Sequence, residues 1–186
     1  MYWYHNYECG FKEGLGMSKT FDVLQYMINE YQEVSGNTMT GDELKAQKLM
    51  YYAQKTSFAL TGKELFQEEF EGWVHGPVLP SLRGIFDFYT ENPNANLDLT
   101  EVEKYIIDNT IHEYGKYASW ALRNKSHEEM AWIKSRKGLS PSEHGTRKIL
   151  LEDIKEDAKD VRIYDYHYDM YLDEFEDADE DFVSAG

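Results

Sequence analysis

Cysteine is nearly absent: Cys9 is the one thiol in 186 residues. That excludes an internal disulfide framework and a cysteine-rich zinc site, and it fits a reducing compartment, the cytoplasm. Long hydrophobic runs are missing as well. Nothing approaches the ~18 apolar residues of a membrane helix, and no basic-then-apolar leader marks a secretory signal, so no membrane association is expected. Glycines stand singly, mostly at the ends of expected helices, and none builds a phosphate-cradling loop. There is no G-x-S-x-G elbow, no H-E-x-x-H helix and no kinase motif set. His112-Glu113 and His127-Glu128-Glu129 lack a second histidine at helical spacing, so no metal is expected, and His127 reads as a buried or capping side chain. Glutamate rather than a cation flanks Cys9, so nothing lowers its pKa. The acids at 173–181 have the composition of a calcium loop without its spacing or central glycine. Nothing here supports enzymatic activity, and no cofactor is implied.

Positive charge is scarce. Lys and Arg number 19 against 35 Asp and Glu, a net charge of −16. Phosphate backbones repel such a chain, so nucleic acid is not expected as a direct partner, whereas a basic protein surface is. The deficit is uneven: residues 152–186 hold 14 acids and 3 bases, and residues 1–151 hold 21 and 16. The hydrophobic content of 41% is enough for a core, and the 15 tyrosines argue against simple disorder. At roughly 150 residues per domain, this is one domain plus extra chain.

Three segments follow. Residues 1–16 crowd Tyr2, Trp3, Tyr4, Tyr7 and Phe11 ahead of Gly14 and Gly16, either as an extension upstream of Met17 or as an aromatic arm. Residues 17–162 carry helical periodicity. Phe21, Leu24, Ile28 and Tyr31 stripe a helix over 18–35. Thr40 with Glu43 suggests a capping box for a second helix, closed by Thr61-Gly62. That helix is apolar on two faces: Ala46, Leu49, Met50, Ala53, Ser57 and Leu60 on one, and Leu44, Tyr51 and Phe58 on the other. It should therefore be central. The period then switches to two at Phe70–His75, a short strand expected to pair with Leu65-Phe66 and to end in a His75-Gly76-Pro77 turn. Trp73 and His75 would share a face of that strand.

Further helices are expected from Pro80 to Asn92, with Leu82, Ile85, Phe86 and Tyr89, and from Thr100 to Gly115, with Val102, Tyr105 and Ile106. Another short helix follows over 119–125, and His127–Trp132 forms a connector or a further short helix. Ser140-Pro141-Ser142-Glu143 has cap chemistry, and a last helix carries Ile149, Leu150, Ile154, Ala158 and Val161 to about Arg162. The fold class is mainly α: a single helical domain with a small β-hairpin insertion. Residues 163–186 form an acidic aromatic tail.

The densest local signature, EFEGWVHGPVLPSL over 69–82, delivers an indole and an imidazole to a tight turn just before a helix start. With the helix before it, this region resembles the Panacea domain, the family of SocA-like antitoxins. Leu44, Gln47, Lys48, Leu49, Tyr51 and Ala53 match the family's L-x-x-Q-K-L-x-Y-x-A helix. Trp73, Gly76, Pro77, Val78, Pro80, Ser81 and Leu82 match its W-x-x-G-P-V-x-P-S-L segment. Tyr114-Gly115, Leu122, Ser126-His127 and Trp132 follow its Y-G…L…T-H…P-W block, with Ser126 for the threonine and Ala131 for the proline. The resemblance covers about residues 17–162. It implies a helical fold with a small β insertion and a non-enzymatic antitoxin forming a hetero-complex with a cognate toxin. Such genes are frequent on phages and mobile elements. Toxins paired with the domain include RelA/SpoT-like synthetases that pyrophosphorylate tRNA, whereas SocA delivers its toxin to a Clp-type protease as an adaptor.

Direct toxin binding is therefore the leading expectation. The alternatives are a proteolytic adaptor and a phage anti-defence protein whose acidic surface mimics nucleic acid. The candidate partner-binding residues are Trp73, His75, Gly76 and Pro77 in the turn, and Tyr164, Tyr166, Tyr168, Tyr171 and Phe175 in the tail. Tyr164, Tyr166 and Tyr168 alternate with Asp165, His167 and Asp169, which puts aromatics on one face of an extended segment. Alternating aromatic and acidic residues suit a basic, stacking-rich nucleotide or tRNA groove.

Overall fold

The computed structural model describes residues 19–84, 86 and 97–162. Among them are six α-helices and one two-stranded hairpin: α1 (Lys19–Ser35), α2 (Glu43–Thr61), β1 (Glu71–Trp73), β2 (Gly76–Val78), α3 (Glu101–Tyr114), α4 (Ser119–Ser126), α5 (Met130–Ser135) and α6 (Leu151–Asp157). Residues 1–16 and 163–186 lie outside the described residues. So does most of the expected Pro80–Asn92 helix, including Ile85 and Tyr89. Its start is a 3₁₀ turn, Pro80–Leu82, with Pro80 at the first position, where its missing N–H is harmless.

Helix α2 is the axis of the fold. It packs against α1, α3, α4, α6 and β2. Leu49, Met50, Tyr51, Tyr52 and Ala53 are consecutive and all essentially inaccessible, so no side of this stretch faces water. Tyr51 meets Tyr52 and Phe70 edge-on, with ring centroids 5.6 and 5.5 Å apart, and Tyr52 stacks on Tyr114 at 4.1 Å. Such contacts add to the area buried. Leu44 and Leu60 are only half-buried, at the two ends of the helix.

The start of α2 differs from the expected Thr40 box. Gly41, at φ 73°, turns the chain one step later, and Asp42 caps the helix by accepting from the Lys45 N–H at 3.1 Å. The same carboxylate accepts from Ser119 Oγ at 2.5 Å, which ties the starts of α2 and α4 together. At the far end Gly62 is left-handed, as the Thr61-Gly62 stop requires. The Thr100–Glu103 capping box of α3 is present in both directions. Val102 does not join the packed face of that helix; Ile106, Ile107, Thr110 and Ile111 do, and Val102 is exposed.

The hairpin also differs. β1 pairs with Gly76–Val78, with Glu71 opposite Val78 and Trp73 opposite Gly76. The turn is therefore Val74-His75, and Gly76 and Pro77 belong to the second strand. Leu65 and Phe66 are instead bound to α2 by Gln54. Its Oε1 accepts from both backbone N–H groups at 3.0 and 3.3 Å, and its Nε2 donates to the Phe66 carbonyl at 3.0 Å. On the other side of β1 lies the segment 147–149, where Gly72 N–H donates to Arg147 O and Ile149 N–H to Phe70 O. Ile149 is thus an extended residue before α6, which is shorter than expected and ends in a 3₁₀ turn, Ala158–Asp160. Ser140–Glu143 closes a local turn rather than opening a helix: Ser140 N–H donates to the Glu143 carboxylate and Glu143 N–H to Ser140 O.

Leu49 is fully enclosed, so Leu49→Ala should destabilise the fold by about 2–5 kcal/mol. An unchanged urea midpoint would show that α2 is not the axis of the core.

Candidate partner interface

The hairpin has only three residues per strand, too few to be stable alone. Polar side chains of α2 hold it. Gln47 Oε1 accepts from Leu79 N–H at 2.8 Å, and its Nε2 donates to Leu79 O at 3.2 Å. One turn-neighbour on, Lys48 Nζ donates to Pro77 O at 2.6 Å. These bonds satisfy backbone groups that are buried and outside regular structure, which would otherwise be costly. Lys48 is 0% exposed. Burial, with a smaller contribution from the Arg123 charge, pulls its ammonium pKa down to about 7 against the opposing pull of Glu43.

Gly76 explains why the close approach is possible. Its φ is 96°, and a Cβ there would lie 2.5 Å from Ser126 Oγ and 2.8 Å from Lys48 Cε. No larger residue fits either the backbone angle or the space.

The opposite side of the hairpin is fixed by α5. Trp132 Nε1 donates to Trp73 O at 3.0 Å, and Arg136 Nη1 donates to Gly72 O at 2.9 Å. Arg136 Nη2 also donates to the carbonyls of Ser140 and Glu143. His127 stacks on Trp132 at 3.8 Å, and burial, with the charges of Arg123, Lys48 and Arg136, pulls its pKa down to about 4. It is a neutral packing side chain at neutral pH.

What this frame leaves facing solvent is the tip. His75 is exposed, and its ring meets the Trp120 indole edge-on at 5.5 Å. Trp120 is itself 59% exposed. The Arg123 guanidinium lies 5.8 Å from the Trp120 ring. Trp73 is half-buried; its Nε1 donates to Glu71 Oε2 at 2.7 Å, and Arg83 sits 5.4 Å from its ring while pairing with Glu43.

The structure therefore gathers Trp73, His75, Gly76 and Pro77 in one hairpin, but in different settings. Gly76 and Pro77 are buried, and Trp73 and His75 are not on a shared strand face, because His75 occupies the turn. Tyr164, Tyr166, Tyr168, Tyr171 and Phe175 lie outside the described residues. Trp120 and Arg123 were not singled out by the sequence reading. Their signal was a large aromatic and a cation three residues apart on a helix whose one deeply buried apolar residue is Leu122. Among the described residues no three His, Cys, Asp or Glu side chains group as a metal site, and no helix is long and apolar enough to cross a membrane.

Residues 46–133, just under half of the chain, match the family model of the antitoxin SocA-like, Panacea domain. This stretch is similar to the Panacea domain. Comparisons with curated proteins and with solved structures give no match. The match supports an antitoxin role, and an antitoxin has a toxin as its partner. The residues that carry the resemblance converge on one place: Gln47 and Lys48 from α2, Trp73, Gly76 and Pro77 from the hairpin, and Ser126, His127 and Trp132 from α4 and α5.

A lysine whose folded pKa lies below its unfolded value binds fewer protons when folded, so stability rises with pH between the two values. For Lys48 that window runs from about 7 toward 10.5. Urea midpoints should rise from pH 7 to pH 9, and Lys48→Met should flatten the rise. Above about pH 10 the buried Tyr51 and Tyr52, whose pKa values are raised, act in the opposite sense. An equal slope in both proteins would place Lys48 in a well-solvated, charged state.

Proposed function

We propose that this protein neutralises a cognate toxin by direct, stoichiometric protein–protein contact, without catalysis, using the hairpin tip and the acidic C-terminal segment. The observation that supports this most is the tip itself. A buried clamp from two helices holds a short hairpin rigid and leaves His75, Trp120 and the edge of Trp73 in solvent. Pre-ordered aromatic side chains lose little entropy on binding and are common hot-spot residues. Gly76 and Pro77 contribute by shaping the tip.

The toxin surface that fits is basic. Residues 163–186 hold nine acids and no Lys or Arg, with aromatics in alternation. A RelA/SpoT-like, tRNA-modifying synthetase offers such a groove, and occluding it would stop the reaction without any chemistry by the antitoxin.

Purified full-length protein should inhibit the purified toxin near a 1:1 ratio, with no nucleotide, metal or protease added. Trp120→Ala and His75→Ala should keep the melting temperature, and Trp120→Ala should weaken toxin binding by about tenfold or more, the scale of one hot-spot residue. Inhibition at far lower ratios, or only with a protease present, would overturn the occlusion mechanism.

A further inference from the structure

Helix α4 and the turn before it carry a surface of the wrong sign for this chain. From Tyr114 to His127 there are Lys116, Arg123 and Lys125 and no acid. Among the described residues none of these three cations forms a salt bridge, although Lys19, Lys55, Arg83, Lys104, Lys134, Lys148 and Lys159 all do. They sit instead on aromatic rings: Lys125 Nζ is 4.6 Å and Lys116 Nζ 5.6 Å from the Tyr117 centroid, and Arg123 lies against the exposed Trp120. Asp42, at the N-terminal end of α4, is used by Ser119 Oγ and the Lys45 N–H.

We propose that this face is the docking site of the chain's own C-terminal segment, residues 163–186, in the protein free of its partner. The chemistry is complementary on both counts. The segment supplies nine carboxylates and six aromatic rings, and the face supplies three unpaired cations and two half- or fully exposed rings, Tyr117 and Trp120. The body up to Arg162 is itself net negative, with 26 acids against 19 bases. Residues 134–148 are basic too, with five bases against one acid, but Lys134 and Lys148 there are ion-paired and Arg136 is buried, whereas α4 sets its unpaired cations beside exposed rings. Reach is not limiting, since 24 residues span up to about 80 Å when extended. A tether of this kind gives an effective concentration near the millimolar range, which a separate acidic protein would have to exceed. Partner binding then exchanges one basic, aromatic surface for another, and frees Trp120 at the same moment. This inference concerns the unbound protein and stands independently of which toxin is bound.

The test is lysine acylation of the full-length protein, read residue by residue by mass spectrometry. The comparison is a full-length variant with the nine tail acids changed to their amides (six Asp→Asn and three Glu→Gln). At low ionic strength Lys116 and Lys125 should react several-fold more slowly in the native chain. The difference should vanish in high salt, and Lys63 and Lys137, exposed elsewhere, should react alike in both. Equal rates at Lys116 and Lys125 in the two proteins would overturn the proposal. So would a difference that grows with protein concentration, because the occupant would then be a second copy. Inhibition of the toxin by either protein reports on the proposed function alone, so the two readings fail separately.

Discussion

The Gln47 amide against Leu79 and the Lys48 amine against Pro77 are the contacts on which the hairpin end of this protein depends. A three-residue hairpin has almost no stability of its own. It is held because a buried helix offers donors and an acceptor where the backbone needs them, and because Gly76 lets the two come within van der Waals distance. Gln54 repeats the device at Leu65-Phe66. Helix α2 thus does two jobs with alternate residues. Its apolar side chains build the core, and three of its buried polar ones, Gln47, Lys48 and Gln54, organise the irregular chain around that core. An amide side chain suits the second job, since it presents a donor and an acceptor together.

The same clamp explains the unusual electrostatics. Lys48 is buried without a carboxylate partner, which costs free energy unless the group can lose its proton or donate to a carbonyl. Here it donates to Pro77 O, and its pKa falls. His127 is driven to its neutral form by the same burial and the same neighbours. The interior beneath the tip is therefore poor in negative charge within a strongly acidic molecule, and the cations that do reach the surface nearby rest on aromatic rings. Charge of the two signs is segregated along this chain, with acids concentrated toward the C-terminus and bases gathered at α4 and over 134–148.

Much of the fold was legible in the sequence. Apolar residues at spacings of three and four marked α1 to α3, and the double-faced pattern of 44–60 marked α2 as central. Cap chemistry was less reliable. Thr100 with Glu103 formed the box, but Thr40 with Glu43 did not, because a glycine in between moved the turn to Asp42. Ser140 with Glu143 made only one of the box's bonds, from Ser140 N–H to the Glu143 carboxylate, and no helix follows. The hairpin partner was misread because Leu65-Phe66 looked like a strand, whereas Gln54, a distant residue, claims its backbone. Among the candidate site residues, the sequence pointed to His75 and not to Trp120. An exposed tryptophan on a short helix carries no pattern of its own, and its meaning comes from the imidazole that folding brings to its edge.

The two edges of the hairpin decide how it can be read by another protein. One flank, that of β1, is already occupied by residues 147–149, which take the Gly72 N–H and supply one to Phe70 O. The other flank, that of β2, is sealed: Pro77 has no N–H to give, its carbonyl is taken by Lys48, and all three residues of the strand are buried. A partner therefore cannot lengthen this sheet by laying a strand along it, the route by which many peptides are captured through main-chain bonds alone. Recognition at this end must be by side-chain shape and charge. A partner that reads this end does so through a few side chains at the tip rather than through the backbone that carries them.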